Sequence, residues 1–162
     1  VRYAAKHNGP VYIRLSRMNV PEIFDENYEL DINKAVTLKE GKDVSVFVTG
    51  DLLAEVTKAN EILQSKGFDA EIINIPVIKP LDTKTIVESV NKTGLAVTVE
   101  NHSILGGLGS AVCETLSENA PHKVLRIGIN DTFGQSGTPN ELLKHYGLDA
   151  ESIANKIIEL KK

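Results

Sequence analysis

The 162-residue sequence has a single cysteine, no long apolar run and no basic excess, and each shortage closes off a class of protein. With Cys113 alone, no disulfide can form within the chain, and a reducing compartment is expected. No apolar stretch nears the ~20 residues that cross a bilayer, and no signal-peptide pattern opens the sequence. A cytoplasmic location and no membrane partner are therefore expected. A net charge of −4 argues against a nucleic-acid partner, which calls for a clear basic excess on one face. The chain also lacks an initiator methionine, internal repeats and low-complexity tracts.

What is present describes an ordinary globular protein, with 41% apolar and 25% charged residues. Val1 to Lys6 reads as the end of a helix, His7-Asn8-Gly9-Pro10 as a stop and turn, and Val11 to Leu15 as a strand. One helix end and one strand cannot close a core, so residues 1–20 are expected to be the tail of a preceding domain. Residues 21–34, with Pro21 and several acids, suit a linker. From residue 35 to 162 strands and helices alternate. Ala35–Lys39 and Val44–Thr49 are β-rich and separated by Glu40-Gly41-Lys42-Asp43, which predicts an antiparallel hairpin.

The period then changes. Leu52, Leu53, Val56, Ala59, Ile62 and Leu63 share a helical face, with Asp51 as candidate N-cap and Gly67 as stop. Further strands are expected at Ala70–Ile75, Leu95–Val99 and Lys123–Ile129. Asp82 is placed to cap a helix ending at Gly94. Another helix follows the glycine turn and carries Leu108, Val112 and Leu116. Thr138-Pro139-Asn140-Glu141 has the form of a capping box with proline at the first helical position, and a last helix starts at Asp149. This alternation implies a three-layer α/β/α domain with a largely parallel sheet.

Candidate chemistry gathers in few places. Glu100-Asn101-His102 through Gly106-Gly107-Leu108-Gly109-Ser110 lies where a strand ends and a helix begins, the ligand edge of an open α/β sheet. Free amides at a helix N-terminus attract anions, so the Gly106–Ser110 turn is open to two readings. It is either an anion or nucleotide seat of a regulatory module, or a tight turn that lets helix and sheet approach. It is neither a Walker loop nor a dinucleotide fingerprint. Glu100 and His102 could form an acid/base pair, with a structural histidine as the plainer alternative. Ser136 in Phe133-Gly134-Gln135-Ser136-Gly137 lacks the nucleophile-elbow pattern. Asp131 and Thr138 read as turn and cap residues, Cys113 as core, and His7, His122 and His145 show no metal-ligand spacing. Arg14 and Arg17, within and just past the first strand, suit phosphate or carboxylate recognition, an interdomain ion pair or solvent.

Taken together these motifs resemble one family. Gly9-Pro10-Val11-Tyr12-Ile13-Arg14-Leu15-Ser16-Arg17, Gly41-Lys42-Asp43-Val44 through Thr49-Gly50, Val99-Glu100-Asn101-His102 with Gly106 to Val112, and Phe133-Gly134-Gln135-Ser136-Gly137 with Tyr146-Gly147-Leu148 are similar to the C-terminal portion of transketolases. The resemblance implies a five-stranded mixed sheet in the order 1-3-2-4-5 with strand 1 antiparallel. It implies ketol transfer between sugar phosphates by a complete enzyme that uses thiamine diphosphate and Mg or Ca. The ligands of both belong to domains upstream, so no catalytic, cofactor or metal residue is expected here. Arg17 matches the arginine of the family's Leu-Ser-Arg segment, implying contact with the substrate phosphate. Arg14 is more like the related deoxyxylulose-phosphate synthases, whose C-terminal domain remains the alternative. The implied partners are thiamine-binding domains or an N-terminal subunit, in a homodimer or heterotetramer.

Overall fold

The computed structural model describes residues 1–17 and 19–160. A short helix α1 (Arg2–Lys6) opens the chain, and the segment to residue 35 has no further regular element among the described residues. The domain proper then runs β1 (Val36–Lys39), β2 (Val44–Val48), α2 (Leu53–Ser65), β3 (Ala70–Asn74), α3 (Thr83–Thr93), β4 (Ala96–Ser103), α4 (Leu108–Asn119), β5 (Val124–Ile129), α5 (Pro139–Tyr146) and α6 (Ala150–Leu160). The five strands form one sheet in the order β1-β3-β2-β4-β5, with β1 antiparallel to β3 and the others parallel.

The alternation of side chains builds both faces. Val46, Val48, Ile72, Val97 and Val99 point to one side, where they meet Val56 and Leu63 of α2 and Ile153 and Ile157 of α6. Phe47, Ile73 and Ala96 point to the other, against Ile86 and Val90 of α3 and Val112 and Leu116 of α4. A strand buried on both faces needs apolar residues at successive positions, and β2 and β3 are buried throughout. The expected three-layer fold is thus present.

Two local expectations are corrected. Residues 35–39 and 44–48 run antiparallel but are not a hairpin, because β3 lies between them. The connection turns onto the start of β3 instead: the amides of Lys42 and Asp43 both donate to the Asp69 carbonyl, and the Asp69 amide donates to the Asp43 carboxylate at 2.8 Å. Lys39 follows, its ammonium meeting Asp69 and the Ala70 carbonyl, each at 2.9 Å. With β2 on one side and β1 on the other, β3 satisfies both its edges. Val11 to Leu15 is no strand either, since no described strand lies alongside it to complete a ladder.

The linker is held down in part. Phe24 packs against the α2/α6 side of the core and stacks on Tyr28 with ring centroids 4.1 Å apart. Asp82, the cap of α3, accepts hydrogen bonds from the Thr85 amide and hydroxyl and from the Ala35 amide at 2.9 Å, which ties the entry of β1 to α3. Burial works to raise this carboxyl, but the bonds from Thr85 and Ala35 outweigh it and leave Asp82 below its usual range. A carboxyl lowered on folding contributes stability above the unfolded value, and that contribution is lost as pH falls through the folded one. Replacing Asp82 by Ala removes a helix cap and a tertiary tie and is expected to cost about 2 kcal/mol in urea unfolding at neutral pH. Below about pH 4 the difference between the two proteins should shrink.

Candidate functional site at the carboxyl edge of the sheet

From β2 the chain moves outward to β3; from β4 it moves the other way to β5. The strand order therefore reverses between β2 and β4, and the crevice beyond their carboxyl ends is where doubly wound sheets receive ligands. Thr49-Gly50-Asp51 forms one wall, and Glu100-Asn101-His102 with the glycine turn forms the other.

The second wall is shaped by an irregularity. Val99 pairs with Ile127, but Ser103, four residues on, pairs with Ile129, only two residues on. β4 thus carries extra chain over residues 100–102, a bulge opposite Gly128. A Cβ on Gly128 would sit 2.8 Å from the His102 carbonyl oxygen and 2.9 Å from Ile104, so this position leaves the bulge its room. Glu100 continues the face of Ala96 and Thr98 by the ordinary alternation of β4, and lies 1% exposed under the start of α4. Its carboxylate accepts from the amides of Leu108 at 2.8 Å and Gly109 at 2.7 Å. The N-cap of α4 is Gly107, which has no side chain to cap with. Glu100 supplies the missing acceptor, favourably placed at the positive end of the helix dipole. A Cβ on Gly107 would overlap that carboxylate.

The anion seat of the glycine turn is therefore filled from within. An incoming phosphate would meet amides already bonded and a carboxylate of its own sign, so the turn does not fit a diphosphate or a nucleotide. Gly106 is likewise engaged, its amide donating to the Ser110 hydroxyl at 2.9 Å. Glu100 and His102 do not form an acid/base pair either. His102 is half exposed with Nδ1 4.0 Å from the Glu100 carboxylate, and the same nitrogen lies 2.8 Å from the Ser103 carbonyl oxygen.

Asn101, between them, faces the crevice. Its side-chain amide donates to the Asp51 carboxylate at 3.1 Å, while its backbone carbonyl accepts from the Arg14 guanidinium at 2.7 Å. Asp51 is thus no N-cap: it falls in a single 3-10 turn, Gly50–Leu52, and Leu52 precedes α2. Arg14 brings the N-terminal segment across the carboxyl edge, and Arg17 lies three residues on, exposed at a bend. Met18 lies outside the described residues.

The other candidates are scattered. His7 meets the Tyr3 hydroxyl at 3.1 Å, His122 the Ala120 carbonyl at 3.0 Å, and His145 the edge of Tyr146. Among the described residues no three His, Cys, Asp or Glu side chains gather so as to hold a metal ion. Ser136 sits in an exposed loop whose start is pinned by the Tyr146 hydroxyl, which accepts from the Gln135 amide at 2.9 Å and donates to the Phe133 carbonyl. Thr138 and Glu141 form the expected capping box. Cys113 is not core: it is half-buried beside the groove between α4 and β5, where burial pushes its thiol up. Sequence reasoning missed Glu100 as a cap, Asn101 as a bridge and Asp51 as its partner. The available signal was a helix opening on Gly107 with no Ser, Thr, Asp or Asn to cap it.

Residues 33–153 match the family model described as transketolase, C-terminal domain. A putative transketolase C-terminal section of Methanocaldococcus jannaschii is 45% identical over this whole chain and 51% of its own length. A 6-deoxy-6-sulfo-D-fructose transketolase subunit of a Clostridium species is 43% identical over 96% of this chain and 49% of its own. A 1-deoxy-D-xylulose-5-phosphate synthase of Caldanaerobacter subterraneus is 37% identical over 94% of this chain but only 25% of its own. Among solved structures, a split-gene transketolase described as an inactive β4 tetramer superposes with a TM-score of 0.93 and 42% identity, over 98% of this chain and 52% of that one. A transketolase variant from Pichia stipitis has a TM-score of 0.59 at 21% identity over 77% of this chain and 17% of that one, a likeness of fold alone. The chain spans about half the length of the Methanocaldococcus and Clostridium relatives and of the split-gene transketolase.

Glu100→Gln keeps one acceptor but turns an amide donor on the second N–H, and is expected to cost about 2–3 kcal/mol in denaturant unfolding. Millimolar sulfate or phosphate should leave the melting temperature of the wild-type chain unchanged beyond a general salt effect. In Glu100→Ala, where the seat is vacated, the same anions should raise it. Equal responses in both proteins would mean that Glu100 does not occupy the anion position.

Proposed function

The chain belongs to the transketolase C-terminal domain family, and on that premise we propose that it is the C-terminal section of a split, thiamine-diphosphate-dependent transketolase. In this reading the assembled enzyme transfers a two-carbon ketol unit between sugar phosphates in the cytoplasm. The domain supports assembly and is inactive without the section that binds thiamine diphosphate and its divalent metal. The observation that carries the reading is likeness along the whole chain to separately encoded transketolase sections of about twice its length.

The site's chemistry agrees with a supporting role. The residues of this chain do not fit the diphosphate, because the one glycine-opened helix start at the crevice is satisfied by Glu100. No step of the ketol transfer is therefore assigned to this chain's carboxyl edge. What the edge offers a substrate is positive charge on the N-terminal segment. Arg17 is exposed and always charged, and a guanidinium can grip a phosphate through two parallel hydrogen bonds. We assign Arg17 to the terminal phosphate of the sugar. The domain boundaries follow the same reading, with residues 1–20 belonging to the preceding domain and 21–34 linking it to residues 35–162.

Arg14 and the likeness to deoxyxylulose-phosphate synthases favour a second reading, in which the parent enzyme is such a synthase. An acceptor and donor assay on the complete enzyme separates the two. The proposed role of Arg17 has its own test. In the enzyme assembled with its thiamine-binding section, Arg17→Ala should raise KM for phosphorylated sugars about 10- to 150-fold, corresponding to ~1.5–3 kcal/mol for a charged hydrogen bond. KM for unphosphorylated analogues should hardly change. An equal effect on both substrate types would reject the assignment, and ketol transfer by the chain alone would reject the supporting role.

A further inference from the structure

The crevice at the reversal of strand order is bridged rather than left open, and the bridge reaches the segment that carries Arg17. The bulge at residues 100–102 takes the Asn101 peptide out of the regular ladder, which leaves its carbonyl available at the strand end. Arg14 fills that acceptor at 2.7 Å. The Asn101 side chain is held in turn by Asp51 across the crevice at 3.1 Å. The three residues come from the N-terminal segment, β4 and the turn after β2, so the contact joins parts of the chain 87 and 50 residues apart. The Asp51 carboxylate and the Arg14 guanidinium take opposite ends of Asn101, its side-chain amide and its backbone carbonyl. Asp51 holds the Asn101 side chain, and with it the residue whose backbone carbonyl accepts from Arg14.

We propose that Asp51 and Asn101 are positioning residues which, through Arg14, fix the N-terminal segment over the carboxyl edge and so set the place of Arg17. The inference rests on the phosphate role of Arg17 for its purpose but not for its geometry. Phe24 anchors the same segment further along by packing on the core, so the stretch bearing Arg17 is tethered on both sides. A phosphate-binding guanidinium on an otherwise exposed segment loses affinity to the entropy of ordering itself, and a double tether reduces that loss.

Trypsin reads the tether directly, since cleavage after Arg14 requires its guanidinium to leave Asn101 and enter the protease pocket. On the 162-residue chain, Asp51→Ala and Asn101→Ala should each speed cleavage of the Arg14–Leu15 bond by roughly tenfold, the scale of one charge-assisted hydrogen bond. Cleavage after Lys6 should be unchanged. Asp51→Asn keeps an oxygen that accepts from Asn101 and should stay near the wild-type rate. Equal rates after Arg14 in wild type and Asp51→Ala would overturn the inference, and so would acceleration at every site alike, which reports general loosening. In the assembled enzyme Asp51→Ala should raise KM for phosphorylated sugars with kcat unchanged, and should add nothing in an Arg17→Ala background. If Arg17→Ala proves indifferent to the substrate phosphate, the Arg17 assignment fails on its own, while the cleavage rates still decide the tether.

Discussion

The carboxyl edge of this domain is organised by one buried charge. A carboxylate withdrawn from water costs several kcal/mol unless its oxygens find strong donors, and Glu100 finds two backbone amides at the positive end of α4. The arrangement is reciprocal. Without Glu100 the helix would open on Gly107 with orphaned amides against a buried sheet. Strand alternation faces Glu100 toward α4, and Gly128 on β5 leaves space for the bulge that follows it. One acid, one strand irregularity and two glycines thus depend on each other, and the same irregularity releases the Asn101 carbonyl that Arg14 takes.

That dependence decides what the glycine turn can be. A glycine-rich strand-to-helix turn is a common anion seat, and its sequence alone leaves room for a nucleotide. Here the protein's own carboxylate stands where the phosphate would sit. The helix dipole stabilises the fold and is not directed at a ligand. Positive charge at the edge is carried instead by Arg14, which donates to the Asn101 carbonyl, and by Arg126, which donates to the Ile104 carbonyl at 2.8 Å.

Much of the architecture was legible because burial on two faces leaves a plain trace. Val44 to Val48 and Ala70 to Asn74 are short apolar or β-prone runs, and the helices between them repeat at helical spacing. The identity of neighbours was less legible. Two adjacent runs with a glycine turn between them suggest a hairpin, yet β3 separates them, because it is a central strand that needs a partner on each edge. Local turn chemistry in Glu40-Gly41-Lys42-Asp43 carries no record of Asp69, which holds that turn from elsewhere in the chain. Similarity of whole motifs supplied the strand order that periodicity could not.

The site was harder to read for a related reason. Asp51 looked like a helix cap because acids often stand just before helices, and its real partner is fifty residues away. Glu100 looked like half of an acid/base pair because it is one residue removed from His102 in alternate register. The alternation of β4 puts it on the face of Ala96 and Thr98, under α4, where the Leu108 and Gly109 amides take its carboxylate. Arg14 and Arg17 are both exposed and alike in the sequence, and of the two it is Arg14 that donates to the Asn101 carbonyl, at 2.7 Å. Two arginines three residues apart divide in this way because a single backbone carbonyl at a strand irregularity is within reach of the first.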